Sequence, residues 1–267
     1  MPQRLDDTFT RLNDAHEGAL VTFITAGDPS PEGTPALVAA LAGAGADIVE
    51  LGIPYSDPLA DGPTVQASSQ RALNKGVTPD TVLGMIRDIR AKTQVPLVLM
   101  TSYNLALKYG LERFAHVFSE AGADGAILTD LPPEEAGPWK AAADAHGMAT
   151  VFLVAPTSTP ERIARITQST TGFVYCVSRT GVTGARTELP VELKALLVRI
   201  RQATDKPVCV GFGISQPAHV GQVMENADGA VIGSALVDFL HAHADNPDQA
   251  EELTRLVTSW KEATRRA

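Results

Sequence analysis

Eight short apolar runs recur along the chain, each followed by a stretch of helical character, and this alternation limits the possible folds more than any other feature. The runs occupy residues 19–25 (ALVTFIT), 48–51 (IVEL), 96–100 (PLVLM), 124–129 (DGAILT), 149–154 (ATVFLV), 173–177 (FVYCV), 207–210 (PVCV) and 228–232 (DGAVI). Each is short and mostly apolar, as expected of a strand covered on both faces. Leu5, Phe9 and Leu12 stand at helical spacing within residues 4–16. Further helices are predicted over 36–44, 65–73, 80–92, 111–121, 132–146, 190–203, 216–225 and 248–265. Thr78-Pro79 and Thr159-Pro160 each join an N-cap residue to a proline at the first helical position, so both mark helix starts. Glu134 and Glu135 are placed in the first turn of the 132–146 helix, where the dipole favours them.

Eight strand–helix units in 267 residues match a (β/α)8 barrel, which typically takes about 250. The expected architecture is an α/β fold, a single (β/α)8 TIM barrel over residues 1–267. It carries an extra N-terminal helix and short helices after strands two and eight. No low-complexity linker or composition break marks a second domain. An open doubly wound sheet is the competing arrangement. It more often has a GxGxxG turn after its first strand, where this chain has Gly27-Asp28-Pro29.

A formal net charge of −9 with no Lys/Arg cluster argues against a nucleic-acid partner, and an anion would need local amides or a local arginine. Cys176 and Cys209 sit in apolar runs as small hydrophobes, so neither a disulfide framework nor a CxxC metal site is expected. No signal-like apolar region opens the chain and no segment is long enough to span a bilayer. With the cysteine usage, this gives a soluble cytoplasmic protein with no membrane partner as the expectation.

The most informative stretch is DIVELGIPYSDPLADG at residues 47–62. Side chains alternate along a strand, so Ile48 and Glu50 share one face and Val49 and Leu51 the other. Barrel active sites lie at the C-terminal ends of the strands, where Glu50 falls. Asp61 lies in the following loop, stiffened by Pro54, Pro58 and Pro63. A buried carboxylate is costly without a partner or a function. Either Glu50 and Asp61 face one cavity as an acid/base pair, or Glu50 pairs with a buried cation while Asp57 and Asp61 are solvated or cap a helix. Tyr175 is either a site residue or a core tyrosine. Arg179 and Thr183 follow it in SRTGVTGART, a loop that is either a mobile lid or a solvated connection.

Two glycine-bearing turns, GFGIS at 211–215 and IGSAL at 232–236, follow strands seven and eight. Barrels frequently hold phosphate there, on backbone N–H groups and the N-terminus of a short helix. One such turn is ordinary; both at these positions favour phosphate. The histidines form no HxxxH or HExxH pattern, and Asp57 with Asp61 offers few oxygens for a hard cation, so no metal is expected.

These motifs carry a resemblance. VELGIPYSDPLADGPTVQ at 49–66, VSRTGVTGAR at 177–186, GFGIS at 211–215 and IGSA at 232–235 resemble the alpha subunit of tryptophan synthase, and the likeness covers essentially the whole length. The resemblance implies a lyase that cleaves indole-3-glycerol phosphate by a retro-aldol reaction to indole and glyceraldehyde 3-phosphate, without a cofactor. It assigns the general acid/base to Glu50, the indole-contacting carboxylate to Asp61 and the active-site tyrosine to Tyr175. It maps phosphate binding to Gly184, Gly213, Gly233 and Ser234, and sets Phe212 beside the indole. Phe23 and Met100 become pocket walls, and Arg179 and Thr183 belong to the lid.

One departure stands out. After strand three the family commonly reads Met-Thr-Tyr-x-Asn-Pro, whereas this chain reads Met100-Thr101-Ser102-Tyr103-Asn104-Leu105. The aromatic is displaced by one position and the proline is absent, which bears on the pocket wall and not on the acid/base pair. The resemblance further implies a beta-subunit partner in an alpha2beta2 heterotetramer. Pro54, Asp57 and Pro58 are the interface candidates, because a partner receiving indole must dock on the catalytic face. A free-standing lyase and a non-catalytic barrel that only activates a beta subunit are the alternatives; the intact Glu50 and Asp61 weigh against the second.

Overall fold

The computed structural model describes residues 2–59, 61–178, 191–211, 213–244, 246 and 248–266, without the side chain of Val191. Helix α1 (Gln3–Asp14) precedes β1 (Ala19–Thr25), and α2 (Thr34–Gly43) leads to β2 (Ile48–Gly52). Helices α3 (Pro63–Asn74) and α4 (Pro79–Arg90) lead to β3 (Leu97–Thr101), and α5 (Tyr103–Tyr109) and α6 (Leu111–Ala121) to β4 (Gly125–Leu128). After α7 (Gly137–Ala145) come β5 (Ala149–Val151) and β6 (Leu153–Val154), then α8 (Pro160–Ser169) and β7 (Val174–Val177). Next are α9 (Val191–Arg201), β8 (Val208–Gly211), α10 (Pro217–Met224), β9 (Gly229–Ile232), α11 (Ser234–Ala242) and α12 (Gln249–Glu262).

The strands pair in parallel in the order β5-β4-β3-β2-β1-β9-β8-β7-β6. The outer two are consecutive in the chain with only Phe152 between them, so the order returns to its start as a TIM barrel. The fifth of the eight expected strands is thus two segments, interrupted at Phe152.

Parallel register sends alternate residues inward. Val21, Ile48 and Val231 stand side by side in one inner ring, and Phe23, Glu50 and Val98 in the ring nearer the strands' C-terminal ends. Leu5, Phe9 and Leu12 of α1 pack into the same interior cluster, with Phe9 against Phe173, and so close the N-terminal end. The opposite strand faces join the helices in a larger outer core, where Phe114 contacts Phe118 and Trp139. Each fully buried large side chain there contributes roughly 1.5–3 kcal/mol.

Three strands are preceded by the pair Ala-Asp: Ala46-Asp47, Ala123-Asp124 and Ala227-Asp228. In each, the Asp backbone N–H donates to a neighbouring strand's residue, Leu20, Leu97 or Val208, and its carboxylate accepts that residue's N–H. Two cations then cover each carboxylate. Arg11 and Lys261 lie 2.9 Å from Asp47, Arg4 and Arg90 lie 2.8 Å from Asp124, and Arg201 and Arg266 pair with Asp228. These ion pairs stitch together the N-terminal end of the barrel.

Helix starts follow the expected chemistry in part. Thr78 Oγ1 accepts from the Thr81 N–H, Thr81 Oγ1 accepts from the Thr78 N–H, and Thr159 caps α8 through Arg162 N–H. The helix expected over 132–146 begins only at Gly137, so Glu134 and Glu135 precede it; Glu134 instead pairs with Arg162 and Arg165. The helix after β2 is not short: it runs twelve residues, because Pro63 at its first position starts it earlier than expected. Helix α5 was not anticipated. Ser102, which stands where the family commonly has the aromatic, caps it by accepting the Leu105 N–H at 3.2 Å.

Candidate active site

Glu50 lies on the inner face of β2, between Phe23 and Val98 of the neighbouring strands. Strand alternation fixes its direction: Ile48 below it lies in the interior cluster, while Val49 and Leu51 lie in the outer core. Glu50 is 1% exposed, and its Oε1 has no hydrogen-bond partner. No ion pair reaches it among the described residues. Burial alone pushes its carboxyl up to about 8. Among the described residues, no buried Arg or Lys neutralises it.

Asp61 sits at the end of the loop after β2, half-buried. Its N–H donates to the Pro58 carbonyl at 3.0 Å, and Gln66 of α3 donates to the carbonyls of Asp61 at 2.9 Å and Pro58 at 3.2 Å. Burial pushes the Asp61 carboxyl up to about 6, against the Tyr55 hydroxyl, which donates to Oδ2 at 3.4 Å and draws it down. Asp61 neither stays fully solvated nor caps α3: Gly62 is the N-cap there and no side chain caps it. Asp57, by contrast, is exposed, with Ser56 Oγ donating to it.

Tyr175 is 7% exposed on β7, inside the barrel. Burial, then the charges of Glu50, Cys209 and Asp61, hold its phenol well above the usual value. Both carboxylates are therefore near enough for their charges to reach this phenol. Gly211 makes room for this ring, since a Cβ there would collide with the Tyr175 hydroxyl.

Phe23 forms the wall between the barrel interior and the last strand. A Cβ on Gly52 would lie 2.9 Å from Phe23 Cζ, and one on Gly233 would lie 3.7 Å from Phe23 Cβ. Met100, paired with Gly52 across β2 and β3, is partly buried against the same interior cluster. Beyond Phe23, α11 begins after Gly233, and the Leu236 and Val237 N–H groups bond to the Gly233 carbonyl. A helix start leaves its earliest N–H groups without intrahelical acceptors, and Ser234 stands there exposed. Gly213 is exposed with φ +81°, a conformation that favours glycine. Arg179, Thr183, Gly184 and Phe212 lie outside the described residues. Among those described, no group of three or more His, Cys, Asp or Glu could hold a metal ion.

On the outer side of the loop, Pro54 is buried rather than presented at a surface, because it continues directly from the buried end of β2. Asp57 remains exposed, Pro58 partly so, and Leu59 is 91% exposed. Leu59 is an exposed large hydrophobic side chain that sequence patterning does not single out. Tyr55 and Gln66 were also missed. Only their fold-dependent contacts with Asp61 single them out. A cavity of about 560 Å³ opens beside this loop, lined by Tyr55, Asp57, Ser102, Asn104, Lys108 and Asp130 among others.

The family described as "Tryptophan synthase alpha chain" matches residues 9–265. The tryptophan synthase alpha chain of Geobacter sulfurreducens is 50% identical over 264 residues, covering 99% of this chain and 98% of that one. That of Geotalea daltonii is 51% identical over 234 residues, covering 88% and 89%. Among solved structures, tryptophan synthase subunit alpha from Legionella pneumophila superposes with a TM-score of 0.90 at 38% identity, covering 99% and 98%. A chain of Mycobacterium tuberculosis tryptophan synthase does so with 0.91 at 36%, covering both chains completely. A barrel with this carboxylate pair, matched at this identity along nearly its whole length, belongs to the tryptophan synthase alpha chain family.

Proposed function

We infer that Glu50 and Asp61 carry the reaction of this tryptophan synthase alpha chain, the cleavage of indole-3-glycerol phosphate to indole and glyceraldehyde 3-phosphate. One observation carries the assignment. Glu50 is a fully buried carboxyl without a cation, on the inner face at the catalytic end of the barrel, and burial sets it near neutral pH.

The chemistry asks for a group that can give a proton and then take one. Glu50, protonated below about pH 8, delivers its proton to C3 of the indole ring. Positive charge then develops at N1, whose N–H donates to the ionised Asp61. The Glu50 carboxylate left behind takes the proton of the glycerol hydroxyl on the carbon next to the ring. That carbon becomes the aldehyde as the carbon–carbon bond breaks, and the bonding pair returns to the indole. One proton enters at C3 and one leaves the hydroxyl, so Glu50 ends protonated as it began. Tyr175, kept uncharged by burial and by the charges of Glu50 and Asp61, serves as a neutral donor that excludes water. Gly213, Gly233 and Ser234 hold the phosphate with backbone N–H groups, fixing the substrate along the barrel mouth. Phe23 and Met100 wall the indole; Gly184, Arg179, Thr183 and Phe212 keep the roles the resemblance gives them.

The partner is a tryptophan synthase beta subunit, docked on the face that carries Asp57, Pro58 and Leu59. A solvent-exposed leucine next to the loop that bears Asp61 supports that surface. Residues 1–267 form one domain, and the cytoplasm is the compartment; Cys176 and Cys209 are free and buried, and no helix among the described residues is long and apolar enough to cross a membrane. Mixing the purified chain with its beta subunit is expected to raise indole release from indole-3-glycerol phosphate well above the isolated rate, and Asp57→Ala to blunt the rise. An isolated chain as fast as the mixture would instead identify a free-standing lyase.

A further inference from the structure

We propose that Tyr55 is a positioning residue for the cleavage reaction, its hydroxyl occupying one oxygen of the Asp61 carboxylate and aiming the other at the indole N–H. The inference rests on the reading of Asp61 given above and adds a residue that reading does not use.

The geometry leaves Asp61 little freedom except at its side chain. Its backbone is held in a turn by its own N–H on the Pro58 carbonyl and by the Gln66 carboxamide on the carbonyls of Pro58 and Asp61. The carboxylate itself has one side-chain donor among the described residues, the Tyr55 hydroxyl on Oδ2 at 3.4 Å. An ionised carboxylate has two oxygens that only accept, so a donor fixed on Oδ2 leaves Oδ1 for a second N–H. The contact is long for a hydrogen bond to a carboxylate, which leaves room for it to tighten as the ring N–H arrives on the other oxygen.

The donor is dependable. Burial and the neighbouring Asp61 push the Tyr55 phenol up to about 12, so it keeps its proton across the working range. Its oxygen also meets Thr129, and Tyr55 lines the outer cavity. Among the described residues no cation does this work instead. Tyr175 from the barrel interior feels the charges of Glu50 and Asp61, and Tyr55 feels those of Asp61 and of Asp130 from the loop after β4, while Asp57 stands exposed on the same loop as Asp61. Lys108 of α5 lines the same outer cavity as Tyr55 but makes no ion pair with Asp61 among the described residues. Burial disfavours the charged form of Asp61, and the hydrogen bond from the Tyr55 phenol is what favours it.

Tyr55→Phe removes the hydroxyl and keeps the ring, so it separates positioning from packing. For indole release by the full chain with its beta subunit, the acid limb of the kcat/KM profile is expected to move to higher pH. The deficit should be roughly tenfold at pH 6 and within about threefold at pH 8. A uniform deficit at all pH values, or an acid limb coincident with that of the unaltered protein, overturns the proposal. As a second measurement independent of turnover, carboxyl-carbon NMR of Asp-labelled protein, with Asp61→Asn supplying the assignment, should show the Asp61 titration moved upward in Tyr55→Phe. An unmoved titration also overturns it. If Asp61→Asn itself cleaves substrate at the normal rate, the reading of Asp61 fails first, and that result is distinct from either outcome for Tyr55.

Discussion

The two ends of the barrel bury carboxylates to a similar depth and treat them in opposite ways. At the N-terminal end, Asp47 is 7% exposed and Asp124 is 4% exposed; each accepts a backbone N–H and is covered by two cations. At the C-terminal end, Glu50 is 1% exposed and its Oε1 has no hydrogen-bond partner among the described residues. Burial raises the carboxyl in both settings, but at Asp124 the Leu97 N–H and two arginines pull against it, while at Glu50 nothing does. The lesson is that depth does not tell a structural carboxylate from a working one. The partners do.

The largest effects should come from the unpartnered end. Glu50→Gln keeps shape and removes the proton, so kcat for indole release is expected to fall about 100- to 10,000-fold with substrate affinity largely kept. Asp61→Asn should cost about 100- to 1,000-fold, because a neutral amide meets the developing indole cation less well. Appreciable turnover in Glu50→Gln would erase the distinction between the two ends.

The partnered end should answer in stability instead. Asp124→Ala strands Arg4 and Arg90 and leaves the Leu97 N–H without its side-chain acceptor, so unfolding by denaturant should show a loss of about 3–5 kcal/mol. Turnover per folded molecule should be unchanged. A catalytic defect without a stability defect would mean that the N-terminal end takes part in the chemistry.

A smaller effect sharpens the picture of the catalytic face. Gly213 has φ +81°, so Gly213→Val strains the turn offered to the phosphate. KM is expected to rise about tenfold, with weaker competition by inorganic phosphate and little change in kcat. A fall in kcat at unchanged KM would move the phosphate elsewhere.

How much of this could be read beforehand differs between the same two ends. The strand alternation placed Glu50 inward and Val49 and Leu51 outward, because period-two patterning survives folding unchanged. The paired carboxylates were equally visible as a recurring Ala-Asp before three strands, yet their meaning depends on Arg4, Arg11 and Lys261 arriving from both ends of the chain. Sequence spacing carries no such information. Pro54 was expected at a surface and is buried, since a proline's composition says nothing of which side of a loop it faces. Helix α5 escaped because seven residues are too few for a periodic signal, though Ser102 three residues before Leu105 was a cap in plain view. The contact of Tyr55 with Asp61 spans six residues through a turn and exists only once Gln66 closes that turn.

The proposed catalysis turns on a single property, a Glu50 carboxyl with no cation beside it among the described residues, held near neutral pH by burial. Its ionisation in the folded chain is opposed, so from about pH 4.5 to about pH 8 the folded state keeps a proton that the unfolded state has lost, and stability falls as pH rises. The direct measurement is a pH titration of the protonated-carboxyl infrared band, taken as the difference between the unaltered protein and Glu50→Gln. A band that persists at pH 7 and disappears around pH 8, absent from Glu50→Gln, is the predicted result. A Glu50 that titrates near 4.5, as a solvated or cation-paired carboxylate does, would contradict it.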